Sequence, residues 1–134
     1  MKGGKAGDGG EGDPGLACAE GETEGCFRNP ARVKRVTLID TSRIDADGFV
    51  ARLRQIDLMD IADPDEVTRG ETSREGEGRF TFPFVTIESV IRDGDDHILV
   101  GNDNNLPFSM GRRLGAADAN EIIRLHVPAF FAAE

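Results

Sequence analysis

The sequence contains no Trp and no Tyr, only two Cys and two His, and fewer bases than acids. Each scarcity excludes something. Two Cys with no adjoining His or further Cys make no zinc set. No apolar run approaches the roughly 18 residues of a membrane span, so no membrane partner is expected. No charged-then-apolar start resembles a secretory signal. With 16 Lys+Arg against 25 Asp+Glu and a net charge of −9, the chain lacks the basic face of a phosphate-backbone binder, so no nucleic-acid partner is expected. Hydrophobic residues make up 38%, below the roughly 45–50% of an ordinary globular chain, which means a small core or a polar segment diluting a normal one. At 134 residues there is room for one ordinary domain at most.

The compositional bias is local. Residues 1–26 are rich in glycine and acid, and Met1 and Leu16 are the only large aliphatic side chains before Phe27. Such a segment buries too little to offset its ordering entropy and reads as disordered or as a long loop. Residues 27–134 are different: short apolar runs recur, separated by turn residues. Arg32–Asp40 reads as a strand. Phe49–Met59 switches apolar parity midway, as a bulge or two short strands would, with a helix as the rival. Asp63-Pro64-Asp65 marks a break, and Thr68–Gly78 reads as a surface loop. Phe84–Arg92 and His97–Asn102 flank Asp93-Gly94-Asp95-Asp96, a strong hairpin signal. Glu121–Val127 gives a last strand, closed by Pro128. The pattern is all-β, a meander of about five strands, as in sandwiches or propeller blades.

Most motifs with a chemical meaning are absent or fortuitous. Gly7, Gly9 and Gly12 satisfy G-x-G-x-x-G, but no strand precedes them and no helix follows, so a dinucleotide site is not expected. There is no phosphate-binding P-loop, and none of Ser42, Ser73, Ser89 or Ser109 sits in a nucleophile elbow. His97 opens one strand and His126 closes another; half-exposed strand residues explain them better than a catalytic base. Cys18 and Cys26 either close a small disulfide loop in an oxidising compartment or are two unrelated free thiols. Phe80, Phe82 and Phe84 alternate as packing residues do.

The densest polar cluster is Asn102-Asp103-Asn104-Asn105, at the end of a strongly apolar strand. Glu88 lies in the partner strand, within an apolar run where a carboxylate is costly unless paired or bound to a cation. Hard cations such as calcium take about six to eight oxygens from carboxylates, amides and water, and these residues carry the right atoms. Asn and Asp also simply terminate strands. Glu121 is placed to reach the same end of the sheet. Arg112-Arg113 offers a contact for a substrate anion, or is merely solvated. Asp45 and Asp47 before Gly48 are better explained as a turn than as a calcium loop.

Residues 80–127 carry a more specific signal. The runs Phe82-Pro83-Phe84, Ile87-Glu88-Ser89-Val90, Leu99-Val100, Asn102-Asp103-Asn104-Asn105, Pro107-Phe108-Ser109, Gly111-Arg112 and Asn120-Glu121-Ile122-Ile123 together resemble the C-terminal part of the phytase-like ("esterase-like activity of phytase") family. Members often have Asp where this chain has Ser89. The resemblance implies a β-propeller-like, exported bacterial hydrolase, secreted or periplasmic, acting on small-molecule phosphate or carboxylic esters. By analogy with calcium-dependent propeller hydrolases it implies calcium at the tunnel mouth. Glu88, Asn102 and Asp103 would be its ligands, Glu88 and Asp103 the catalytic carboxylates, and Asn104 and Arg112 substrate contacts. No Arg-His-Gly motif of the histidine-type phytases is present.

Family members run to roughly two to three times this length, because a propeller needs several four-stranded blades to close. The chain therefore reads as a partial propeller, about one blade plus extra strands, nearly inactive alone and completed by a missing N-terminal portion. The alternative is a non-catalytic β module that binds a partner, or itself, through exposed sheet edges.

Overall fold

The computed structural model describes residues 10, 12–68, 74, 76–106 and 108–132. Gly7, Gly9, Ser73, Pro107 and part of the 68–78 loop lie outside the described residues. The described chain is all-β: three small antiparallel sheets, with helix limited to a 3-10 turn at Pro14–Leu16 and one short helix, α1, at Pro128–Phe131. No helix among the described residues is long and apolar enough to cross a membrane.

Strands β1 (Arg35–Ile44) and β2 (Val50–Asp57) form the first sheet. Leu38 pairs with Arg54 and Ile39 with Arg52, so Leu53 is the extra residue of a bulge. That bulge is why the apolar residues of β2 change parity at this point; the helical alternative does not form. The connecting turn is held by the Asp45 carboxylate, which accepts the N–H groups of Asp47 (3.0 Å) and Phe49 (2.8 Å). Gly48 takes a φ of 86° there, a left-handed conformation that suits glycine. Turn chemistry thus accounts for Asp45 and Asp47.

The short strands β3 (Ile61–Ala62) and β4 (Arg79–Phe80) pair across the polar loop between them. The Asp63 carboxylate sits at the loop's base, buried, accepting from the backbone of Val67 (2.9 Å) and from the Thr68 hydroxyl. Outside, Asp60 is clasped by Arg74 and Arg79.

The third sheet has the order β5–β6–β7, from Ile87–Asp93, His97–Asn102 and Ile122–His126. Asp93 pairs with His97, leaving Gly94-Asp95-Asp96 as a three-residue loop with Gly94 at φ 73°. Strand β6 is central, and its Ile98 and Val100 are buried.

These sheets meet over one core: Leu58, Phe80, Phe82, Phe84, Ile98 and Val100, flanked by Val36, Ile56, Ile87, Ile123 and Leu125. Phe82 and Phe84 pack edge to face with centroids 4.8 Å apart. Burying such a side chain stabilises by about 1.5–3 kcal/mol. Two phenylalanines of this alternating row therefore lie beyond the two-residue strand that begins it.

Where it is described, the glycine- and acid-rich lead is a long loop, one of the two readings its composition allows. Cys18 and Cys26 form a disulfide. Residues 12–26 form a loop anchored at its root: Asp13 N–H donates to the Gly111 carbonyl (2.8 Å) and Ala31 N–H to that of Gly12 (2.9 Å), while residues 14–25 are exposed apart from half-buried Cys18. Gly12, at φ 96°, lies against the Phe27 ring, and a Cβ there would come within 2.4 Å of it. Crosslinking and backbone hydrogen bonds order a segment whose apolar content alone would not.

Two outcomes are expected. Phe82→Ala removes a fully buried ring and lowers unfolding free energy by about 3–5 kcal/mol in urea denaturation. Arg79 and then Arg74 hold the Asp60 carboxyl below its usual value, and the Thr68 hydroxyl does the same for Asp63. Carboxyls depressed in the folded state contribute fully above the unfolded value of about 3.9 and lose that contribution as pH falls through the folded values. Melting temperature should therefore fall as pH drops below about 4, and Asp60→Asn should show a slightly shallower fall.

Candidate functional site

The polar cluster forms where β5, β6 and β7 reach one end of the sheet. Ile87 pairs with Asn102, and the next pair is Ser89 with Gly101, so Glu88 is the extra residue of a second bulge. Its side chain is exposed, not buried in the apolar run as the sequence implies. The desolvation argument for a paired or metal-bound Glu88 therefore lapses. Asp103 N–H donates to the Thr86 carbonyl (3.2 Å), which brings the Asp103 backbone beside the start of β5. Its exposed carboxylate accepts from Asn105 N–H at 2.9 Å.

The asparagines between them are engaged with the backbone. Asn102 is 8% exposed; its amide nitrogen donates to the Ala119 carbonyl (3.1 Å), and its oxygen accepts Glu121 N–H (2.6 Å). The side chain thereby extends the β6–β7 ladder by one rung. Asn104, equally buried, donates to the Asp118 carbonyl (3.0 Å) and receives Leu106 N–H (3.3 Å). Asn105 stands at φ 45°, a conformation Asn tolerates better than most side chains, and its amide donates to Thr86 (2.7 Å).

Arg112 is a buried strut. Its Nε and Nη2 donate to the two Glu121 oxygens at 3.1 and 2.9 Å, and Nη1 donates to the Thr81 carbonyl at 2.8 Å. The guanidinium lies 4.8 Å from the Phe80 ring centroid and 5.0 Å from that of Phe84. The side chain is only 8% exposed. A substrate anion would find the charge already met by Glu121. Arg112, Arg113, Asp118 and Glu121 line a hollow of about 260 Å³ beside this strut.

Two features are absent from the sequence reading. Asp118, 4% exposed, accepts the N–H groups of Gly111 (2.7 Å) and Arg112 (3.0 Å), closing the loop on itself. Its only sequence signal is a lone acid in an alanine run. His97 and His126, far apart in sequence, are cross-strand partners with rings 4.8 Å apart. Asp96 reaches both, at 2.6 Å from His97 Nδ1 and 3.3 Å from His126 Nε2. The His97 hydrogen bond, foremost, holds the Asp96 carboxyl below its ordinary value. Only the β6–β7 register makes this trio visible.

The arrangement leaves Glu88 and Asp103 as solvent-facing carboxylates at one end of a hairpin whose loop is fixed from behind. Among the described residues no group of three or more His, Cys, Asp or Glu is arranged to hold a metal. No family model, no curated protein and no solved structure matches the chain.

Arg112→Ala leaves the Glu121 carboxylate unpaired and strips cover from two core rings. It should lower unfolding free energy by about 2–4 kcal/mol in urea. Arg112→Lys should recover only part, because an ammonium has neither the fork nor the flat face.

Proposed function

We propose that the chain works as the C-terminal portion of a phytase-like, or esterase-like, β-propeller hydrolase. Its substrates are small phosphate or carboxylic esters, met outside the cytoplasm in the secreted or periplasmic setting that the family resemblance implies. The supporting observation is the end of the β5–β6 hairpin. Glu88 stands on a bulge of β5, Asp103 follows β6, and both carboxylates face solvent over a loop pinned by Asn102, Asn104 and Asp118. A rigid loop presenting hard oxygen donors is what a calcium-dependent ester site requires.

In this reading Glu88 and Asp103 face the cation and orient substrate, and the Asn102 amide oxygen, which accepts Glu121 N–H, is a further ligand candidate. Asn104 holds the loop in shape. Arg112 acts from behind by holding Glu121 at the root of β7. Calcium, when bound, supplies Lewis-acid polarisation of the ester oxygen. Water and, in an intact propeller, further strands beyond the open sheet edges supply the remaining oxygens of the six to eight calcium takes.

Calcium titration of the purified chain, followed by thermal denaturation, tests this reading. The wild type should melt higher with calcium, and Glu88→Gln and Asp103→Asn should each lose that shift. Turnover of p-nitrophenyl phosphate and p-nitrophenyl acetate should stay near background. A melting temperature that calcium does not move overturns the proposal. Calcium-dependent turnover abolished by Glu88→Gln would overturn only the need for further blades.

A further inference from the structure

A hollow of about 480 Å³ opens between β2 and the junction of β7 with α1. Its apolar walls include Ile56, Val127, Pro128 and Phe130, and its polar corner holds Arg54 and His126. No Asp or Glu among the described residues lines it, although the chain has 25 acids against 16 Lys+Arg. Arg54 is half-buried. The other half-buried arginines each hold a carboxylate: Arg74 and Arg79 meet Asp60, and Arg112 meets Glu121. Arg54 has no hydrogen bond, ion pair or ring partner among the described residues. His126 Nε2 is turned to Asp96 at 3.3 Å, so the unmatched charge of the hollow is that of Arg54.

We propose that this hollow binds a small amphipathic monoanion, a medium-chain carboxylate, with its head on the Arg54 guanidinium and its chain along Ile56, Val127 and Phe130. Arg54 and Ile56 alternate on one face of β2, which sets the charge beside the apolar wall. A guanidinium partly out of water gains most from a flat, two-oxygen acceptor, and a carboxylate is one. Small-molecule sites of about 300–1,000 Å³ are mostly apolar, with a few polar groups that orient the ligand, and this hollow has that make-up. Bare phosphate would meet the charge but leave the apolar walls wet. A neutral chain would cover the walls but leave Arg54 unmatched. A carboxylate on an apolar chain meets both.

The hollow lies at the opposite end of the third sheet from Glu88 and Asp103. His126 pairs with His97 at the start of β6, whereas Asn102 ends that strand beside the polar cluster. The inference therefore goes beyond the hydrolase reading and does not draw on it.

Heteronuclear NMR titration of the chain with octanoate, in EDTA, tests it. Octanoate should bind saturably, with the largest amide shifts at Ile56, Val127 and Phe130. Arg54→Gln should weaken binding about tenfold or more. With no partner to lose, that variant should melt like the wild type in the absence of octanoate. Arg54→Lys should recover part of the affinity, because it keeps the charge without the fork. Arg52→Gln removes an exposed charge of the same strand from outside the hollow and should leave binding unchanged. Octan-1-ol and inorganic phosphate should each bind about tenfold more weakly than octanoate, or not at all. Shifts that do not saturate or that centre elsewhere would overturn the proposal. So would an Arg54→Gln variant that binds unchanged, or octan-1-ol or phosphate binding as tightly as octanoate. The calcium shift is a separate readout on other residues, so failure here and failure of the hydrolase reading are told apart.

Discussion

The guanidinium of Arg112 lies against two phenylalanine rings of the core while its nitrogens reach Glu121 and the Thr81 carbonyl. Much of the sheet end rests on that one contact. The Phe80–Phe84 segment is mostly irregular, so its backbone polar groups need partners outside a ladder. Arg112 supplies one. By holding Glu121 it also fixes the root of β7, where Asn102 then receives Glu121 N–H. A buried charge is tolerated here because it is paired, hydrogen-bonded and stacked at once. Without the strut, the long connection from Asn102 to Glu121 would rest on asparagine and aspartate side-chain hydrogen bonds and a few backbone ones, such as Asp118 N–H to the Ser109 carbonyl (2.9 Å).

From this follows a division of labour within the polar cluster. The amides of Asn102 and Asn104 and the Asp118 carboxylate turn inward and satisfy backbone groups that a non-repetitive loop would otherwise bury unmade. The carboxylates of Glu88 and Asp103 turn outward. Inward-facing residues set the shape, and outward-facing ones meet solvent. The same economy appears at the other end of the sheet, where Asp96 joins His97 and His126 beneath the turn into α1. There the Asp96 carbonyl also accepts Val127 N–H at 2.6 Å.

Much of the strand content was legible in the residues. Asp93-Gly94 announced the β5–β6 hairpin, the parity switch in β2 announced the bulge at Leu53, and the alternation of Phe80, Phe82 and Phe84 announced the core. These signals are local: they depend on side-chain period and on turn conformations that few residues tolerate. The cluster at Asn102–Asn105 with Glu121 was also legible as a place, because it broke an apolar pattern. Its roles were not. Glu88 read as a carboxylate inside an apolar strand, yet β5 is an edge among the described residues and its bulge leaves Glu88 in water. Arg112 read as an anion contact or a merely solvated side chain, yet it is buried and matched.

By itself, then, the sequence determined the all-β class, the turns, the core phenylalanines and the end of the sheet where polar residues gather, since each follows from interactions between neighbours along the chain. Only the tertiary structure decided which strand is an edge among the described residues, which of two cysteine readings holds, where the 12–26 loop is anchored, and which polar side chains face inward. Those outcomes hang on register and on contacts between segments far apart in sequence. A shift of one residue in pairing would exchange buried for exposed throughout a strand.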